Sequence, residues 1–137
     1  MNILLVSSSL NPDSKSLVLA REAERVLAAA GHQPTLLDLS ALPLPLCDAG
    51  PAFDHENVLH ADRLVHAADG IIVATPIYNY DANAAVKNLV ELTGDAWENK
   101  VVGFLCAAGG QSSYMSILAF ANSLMLDFRC VIVPRFV

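Results

Sequence analysis

A chain of 137 residues, 54% of them hydrophobic, is enough to bury the core of one domain, yet its longest apolar runs, such as Ile71 to Ala74 and Val101 to Ala108, are far too short to cross a bilayer. The net charge of -6, with eight Lys and Arg scattered along the chain and no basic patch, argues against nucleic acid and against an anionic membrane surface, which leaves a small molecule as the expected ligand. Three dispersed cysteines without a C-x-x-C pair, and four histidines (His32, His55, His60, His66) never four residues apart, predict neither a disulfide framework nor a metal site.

Asn2 to Val6 predicts a short strand that runs into serines, with no basic stretch ahead of it, so a cytoplasmic location is expected. Apolar residues then recur at helical spacing at Leu17, Ala20, Ala23, Val26, Leu27 and Ala30, and Gly31 closes that helix. Pro34 to Leu39 predicts the second strand. The stretch ALPLPLCDAGPAF predicts an irregular loop, because Pro43, Pro45 and Pro51 forbid regular structure. Asp54 is expected to cap a helix running to about Ala68, and Asp69-Gly70 leads into the buried strand IIVAT. A helix over Asn83 to Leu92, a strand over Val101 to Ala107, a helix over Ser112 to Asp127 and a fifth strand over Cys130 to Val137 complete the chain.

Strictly alternating strands and helices, with the strands apolar on both faces, predict an α/β fold: a single doubly wound domain over residues 1–137 with a five-stranded parallel sheet in the order 2-1-3-4-5. A ligand of such a fold lies above strands one and three, where the strand order reverses. The loops at that point are Ser7 to Ser16 and Thr75 to Asn83, flanked by Ala107 to Ser113.

The first loop holds five serines between Ser7 and Ser16 and no glycine. Hydroxyls ahead of a helix N-terminus, with its unpaired N–H groups and partial positive charge, suit a phosphate, and three or four such bonds at roughly 1.5 to 3 kcal/mol each hold a phosphomonoester without a P-loop lysine. The same serines also fit a plain helix cap and polar turn, and Asp13 weighs against an anion. In the second loop, TPIYNYDANAAVKN, Pro76 withholds its own N–H, which leaves the amides of Ile77 to Asn79 to meet the edge of a planar heterocycle beside two tyrosines.

The stretches SSLNPDSKS (Ser8 to Ser16), TPIYNYDANAAVKN (Thr75 to Asn88) and AAGGQSSY (Ala107 to Tyr114) resemble, in order and spacing, G-S-x-R-x-x-S, T-P-x-Y-x-x-x-x-x-G-A-L-K-N and the G-G turn of NAD(P)H-dependent FMN reductases of flavodoxin-like fold, including those that serve alkanesulfonate monooxygenases. The resemblance implies an oxidoreductase that passes a hydride from the nicotinamide of NADPH or NADH to FMN, and then on to oxygen, a quinone, a dye or a partner monooxygenase. No acid–base residue is implied, because stacking the two rings suffices. It further implies that Ser9, Ser14 and Ser16 hold the FMN phosphate with Asn11 as a weakened fourth contact, that Pro76, Ile77, Tyr78 and Asn79 line the isoalloxazine, and that Gly109, Gly110 and Gln111 close its other edge. Three positions depart from the pattern: Asn11 stands at the usual arginine, Ser8 at the first glycine and Ala84 at the glycine before the helix. The lost arginine predicts weaker phosphate binding. Family members carry a further helix after the fifth strand where this sequence reaches Val137, so one face of the sheet is expected to lie bare.

Two other readings stand beside this one: a flavodoxin-type electron carrier, whose T-x-T-G-x-T phosphate loop is not matched, and a non-catalytic interaction module on the same fold. Assembly follows from SSYMSILAFANSLMLDF. Tyr114, Ile117, Leu118, Ala121, Leu124 and Met125 form one broad face toward the sheet, while Met115, Ala119, Phe120 and Leu126 are apolar outside it and no charge occurs between Gln111 and Leu126. A homodimer or homotetramer through this helix and the Asn83 to Leu92 helix is expected, with Phe120→Asp as the change that dissociates it.

Overall fold

Hydrophobic runs bounded by helix-starting polar residues fold here as the alternation requires. In the computed structural model, which describes residues 1–110, 113 and 115–137, five strands form a parallel sheet: β1 (Asn2–Ser7), β2 (Gln33–Asp38), β3 (Gly70–Tyr78), β5 (Val101–Ala107) and β6 (Val131–Ile132). Their order is β2-β1-β3-β5-β6, and the two-residue β4 (Asp81–Ala82) pairs antiparallel with β3 alone. Apart from that extra ribbon, the order is the expected one. The registers Ser7↔Asp38 and Ser7↔Ala74 end the β1 ladders, so β1 stops where β3 continues for another four residues.

The helices are α1 (Lys15–Ala29), α2 (Glu56–Ala67), α3 (Ala84–Thr93) and α4 (Leu118–Phe128). Period-2 alternation divides the strand residues between two layers. Leu4 and Val6 of β1, Ile71 and Val73 of β3, and Val102 and Phe104 of β5 join α2, α3 and α4 through Ala61, Val65, Val86, Leu89, Phe120 and Leu124 in the main core. Trp97 is fully buried in this core, its indole N–H donating to Thr93 Oγ1 at 2.8 Å. The opposite face carries α1. Beside it Ile3, Ile72, Leu105 and Val133 line an open apolar cleft of about 330 Å³.

Four local expectations are corrected. Asp54 closes a short 3₁₀ turn (Pro51–Asp54), and His55 caps α2 through its ring nitrogen, which accepts from Asn57 N at 3.1 Å. The fifth strand is cut to Val131–Ile132 because Pro134 has no N–H to give, although the chain end stays beside β5, with Val133 N donating to Val102 O at 2.9 Å and Cys106 N to Val137 O. The regular part of α4 starts at Leu118 rather than Ser112. Its buried side is also rotated: Phe120 is 4% exposed and meets Phe104 edge-to-face at 6.0 Å, whereas Leu118 and Met125 face solvent. Phe120 is therefore a core residue and not an interface probe. Tyr114 of the expected face lies outside the described residues.

Candidate functional site

Between the C-terminal ends of β1, β3 and β5 lies an open cleft of about 450 Å³. The loop after β1 contributes Ser9, Asn11, Asp13, Ser14, Lys15 and Ser16 to it, the end of β3 contributes Pro76, Ile77 and Tyr78, and the end of β5 contributes Ala107, Ala108 and Gly109. Eight of the eleven residues expected at the site thus share one cavity. Asn79 and Gly110 follow directly on wall residues without lining it, and Gln111 lies outside the described residues.

Local hydrogen bonding explains the serine-rich sequence. Ser14 is the N-cap of α1, its Oγ accepting from Leu17 N at 3.2 Å, and it shares a hydrogen with Ser16 Oγ at 2.7 Å. Ser9 Oγ accepts from Asn11 N at 3.2 Å. Ser9 and Ser14 each take up a backbone donor and keep a hydrogen to give, in the case of Ser14 directly or through Ser16, which is the donor set an anionic oxygen needs. The first turn of α1 has no acidic residue, although Asp13, just ahead of the N-cap, lines the same cleft and sets a negative charge beside the positive end of the helix dipole. Ser16 is fully buried and acts behind Ser14.

Asn11 serves a different purpose from the arginine of the resembled pattern. Its Oδ1 accepts from Asp13 N at 3.0 Å, an Asx turn that shapes the loop and leaves only the amide Nδ2 to reach a ligand. Lys15, which sequence reasoning passed over, lies at the mouth of the cleft and forms no ion pair with the described residues. Its position as the first residue of α1 was the signal available.

The β3 side of the cleft is a hairpin instead of an open loop. Ile77 lies opposite Ala82 and Tyr78 opposite Asp81, with the reversal at Asn79 (φ 52) and Tyr80 (φ 61). Ile77 and Tyr78 therefore sit in a paired strand, held more rigidly than free amides. Pro76 is buried at the register position of Ala107, which brings the two walls together. Among the described residues, adjacent ones apart, no atom lies within 4 Å of where a Cβ would stand on Gly109 or Gly110, which leaves the backbone there accessible to a ligand edge. Cys106, one residue inside the β5 wall, has its thiol pushed up to about 11 by burial, which disfavours the thiolate. A separate apolar hollow of about 320 Å³ around Leu39, Leu44 and Leu46 offers little chemistry, because its Asn88 already donates to Pro45 O and accepts from Cys47 N. No cluster of His, Cys, Asp and Glu suited to a metal occurs among the described residues.

A family model described as NADPH-dependent FMN reductase matches residues 1–137. An NAD(P)H-dependent FAD/FMN reductase of Geobacillus thermodenitrificans (strain NG80-2) is 29% identical over 140 residues, covering 98% of this chain and 74% of its own length. An FMN reductase (NADPH) of Pseudomonas putida is 30% identical over 129 residues, covering 93% of this chain and 64% of its own. Among solved structures, the apo form of an NADH:FMN oxidoreductase (EMOB) superposes with a TM-score of 0.81 at 21% identity, covering 98% of this chain and 73% of that one, a likeness of fold.

Proposed function

The chain belongs to the NADPH-dependent FMN reductase family, and from that membership we propose that its cleft binds FMN and presents it to a nicotinamide for hydride transfer. Family and relatives are named for FMN and NAD(P)H. The observation that carries the reading is the meeting, in one cleft, of buried hydroxyl donors at the α1 N-terminus with the C-terminal ends of β3 and β5.

Ser9 and Ser14 donate to the phosphate, with Ser16 aligning Ser14 and the Asn11 Nδ2 supplying a further N–H. Lys15 supplies the positive charge that Asn11 lacks. Pro76, Ile77 and Tyr78 line one side of the isoalloxazine, Gly109 approaches its other edge, and Asn79, Gly110 and Gln111 extend the two rims. When bound, FMN supplies the redox chemistry by accepting the hydride. The protein's part is to hold the ring flat and leave one face open for a nicotinamide and then for an acceptor such as oxygen, a quinone, a dye or a partner monooxygenase. The absence of an arginine clamp fits flavin that exchanges with solution. No described helix is long and apolar enough to cross a membrane and the three cysteines are free, which supports a cytoplasmic location. The apolar residues left exposed on α4 support a homodimer.

The test is an absorbance spectrum of the purified protein before and after adding FMN, followed by steady-state NADPH oxidation. A perturbed flavin spectrum with FMN-dependent turnover is the expected result. Tight flavin without turnover would make the protein a carrier, and an unperturbed spectrum would remove flavin from the cleft altogether.

A further inference from the structure

Asn83 stands at the N-cap of α3, where an asparagine side chain ordinarily accepts from an N–H in the first turn of the helix it begins. Here it makes no such bond. The side chain turns inward instead and is 7% exposed. Its Nδ2 donates to Ser8 O at 2.7 Å, while its Oδ1 accepts from Ser8 Oγ at 2.7 Å and from Thr75 Oγ1 at 3.2 Å. Ser8 and Thr75 are both fully buried, and neither they nor Asn83 line the cleft.

The place of this link in the sheet gives it meaning. Direct pairing of β1 with β3 ends at Ser7↔Ala74, and Ser8 N donating to Ala74 O at 3.0 Å is the last backbone bond between them. Beyond it the chain after β1 turns into the hydroxyl-rich loop, and β3 runs on to the ring-side hairpin. Asn83 spans the two at the point where the ladder gives out, joining the residue before Ser9 to the residue before Pro76. A buried amide engaged at both ends holds its partners closely, because loss of either end leaves an unpaired polar group out of reach of water.

We propose that Asn83 is a positioning residue that sets the spacing between the phosphate side and the ring side of the cleft, so that a ligand long enough to touch both is bound more tightly than its two halves would predict. The proposal rests on the reading of the cleft as an FMN site. Its physical basis is preorganisation: when the two half-sites are already at the right separation, the second contact costs no further ordering of the protein.

Dissociation constants of FMN and of lumiflavin, which has the ring but no ribityl phosphate, test it by fluorescence titration. Asn83→Ala should weaken FMN by about tenfold or more, the effect of losing one well-made interaction, and change lumiflavin by less than about twofold. Asn83→Asp keeps the acceptor but turns a second oxygen toward Ser8 O in place of the donating Nδ2, so it should weaken FMN at least as much as Asn83→Ala, again with a smaller effect on lumiflavin. Thr75→Val removes a single hydroxyl from the link without creating a gap, and should show a smaller loss of the same selectivity, which keeps the proposal open to test even if Asn83→Ala folds poorly. Equal losses for both ligands in Asn83→Asp and Thr75→Val, or FMN binding unchanged in both, would overturn the positioning role. Failure of the unmodified chain to bind either flavin would overturn the FMN reading itself, and the inference with it.

Discussion

Ser14 carries two duties that a single substitution separates. It caps α1 through Leu17 N and shares a hydrogen with Ser16, so Ser14→Ala should cost about 1 kcal/mol of stability, seen in the urea midpoint, and should also weaken FMN much more than riboflavin, which has no phosphate. Equal losses for both ligands would remove it from the phosphate site. The role proposed for Lys15 is charge alone. Lys15→Met should leave the urea midpoint unchanged, weaken FMN but not riboflavin, and flatten the dependence of FMN affinity on salt. Asn11→Arg, which sequence comparison alone would favour as a gain of up to about 1.5 to 3 kcal/mol, must give up the Asx-turn bond to Asp13 N, so the gain in FMN affinity should fall short of that range. Cys106 sets a pH limit. Burial raises its thiol from 9.0 to about 11 and shifts the buried Cys130 in the same direction, so above pH 9 the unfolded chain loses protons that the folded chain keeps. Stability should therefore fall as pH rises from 9 toward 11, and Cys106→Ala should reduce the fall in a urea titration at pH 8 and pH 10.

The β3–β4 hairpin shows what the sequence discloses of an element and what it withholds. Asn79 and Tyr80 both adopt left-handed backbone, a turn whose usual sequence is Asn-Gly. With tyrosine in the second position the hairpin signal is absent, and the stretch reads as a loop. Tyr80→Gly should raise stability by roughly 0.5 to 1 kcal/mol, the relief of left-handed strain less the greater freedom of glycine in the unfolded chain; a lower melting temperature would mean that the tyrosine ring contributes packing at the turn. The strand order and the cleft were legible because they follow from runs of Ile, Val and Leu that repeat at strand and helix periods, and from the rule that places ligands at the strand reversal. Three things were not. The α4 face was misplaced because the apolar pattern extends all round that helix, so periodicity could not choose Phe120 over Leu118. The Asn83 link was hidden because Asn at a helix start has an adequate local explanation, whereas its partner Ser8 is 75 residues away in sequence. The short β6 was missed because Pro134 is a plausible edge residue until the ladder around it is seen.

At the scale of the whole molecule, the outer side of α4 and the turn before it expose a group of large apolar side chains. Met115, Leu118, Met125 and Leu126 are 53%, 41%, 43% and 77% exposed, and no charged residue breaks the chain between Gln111 and Leu126. Beside them, between α3 and α4, a hollow of about 410 Å³ is lined by the small residues Ala82, Ala84, Ala119 and Ser123, with the charged Asp81 and Lys87 also on its wall. The proposed homodimer would use them together under a two-fold axis, each α4 offering its strip to the partner's hollow. A stable pair of this kind buries about 1,200 Å² or more in total. Phe120→Asp cannot test this, because Phe120 packs on Phe104 in the core and a buried unpaired carboxylate would unfold the chain before any interface was lost. Leu126→Asp is the informative change, since Leu126 is 77% exposed and makes no part of the core. In sedimentation velocity at micromolar concentration the unmodified chain should run as a dimer, and Leu126→Asp as a monomer with an unchanged far-ultraviolet circular dichroism spectrum. A clean monomer for the unmodified chain would leave the α4 strip without this role.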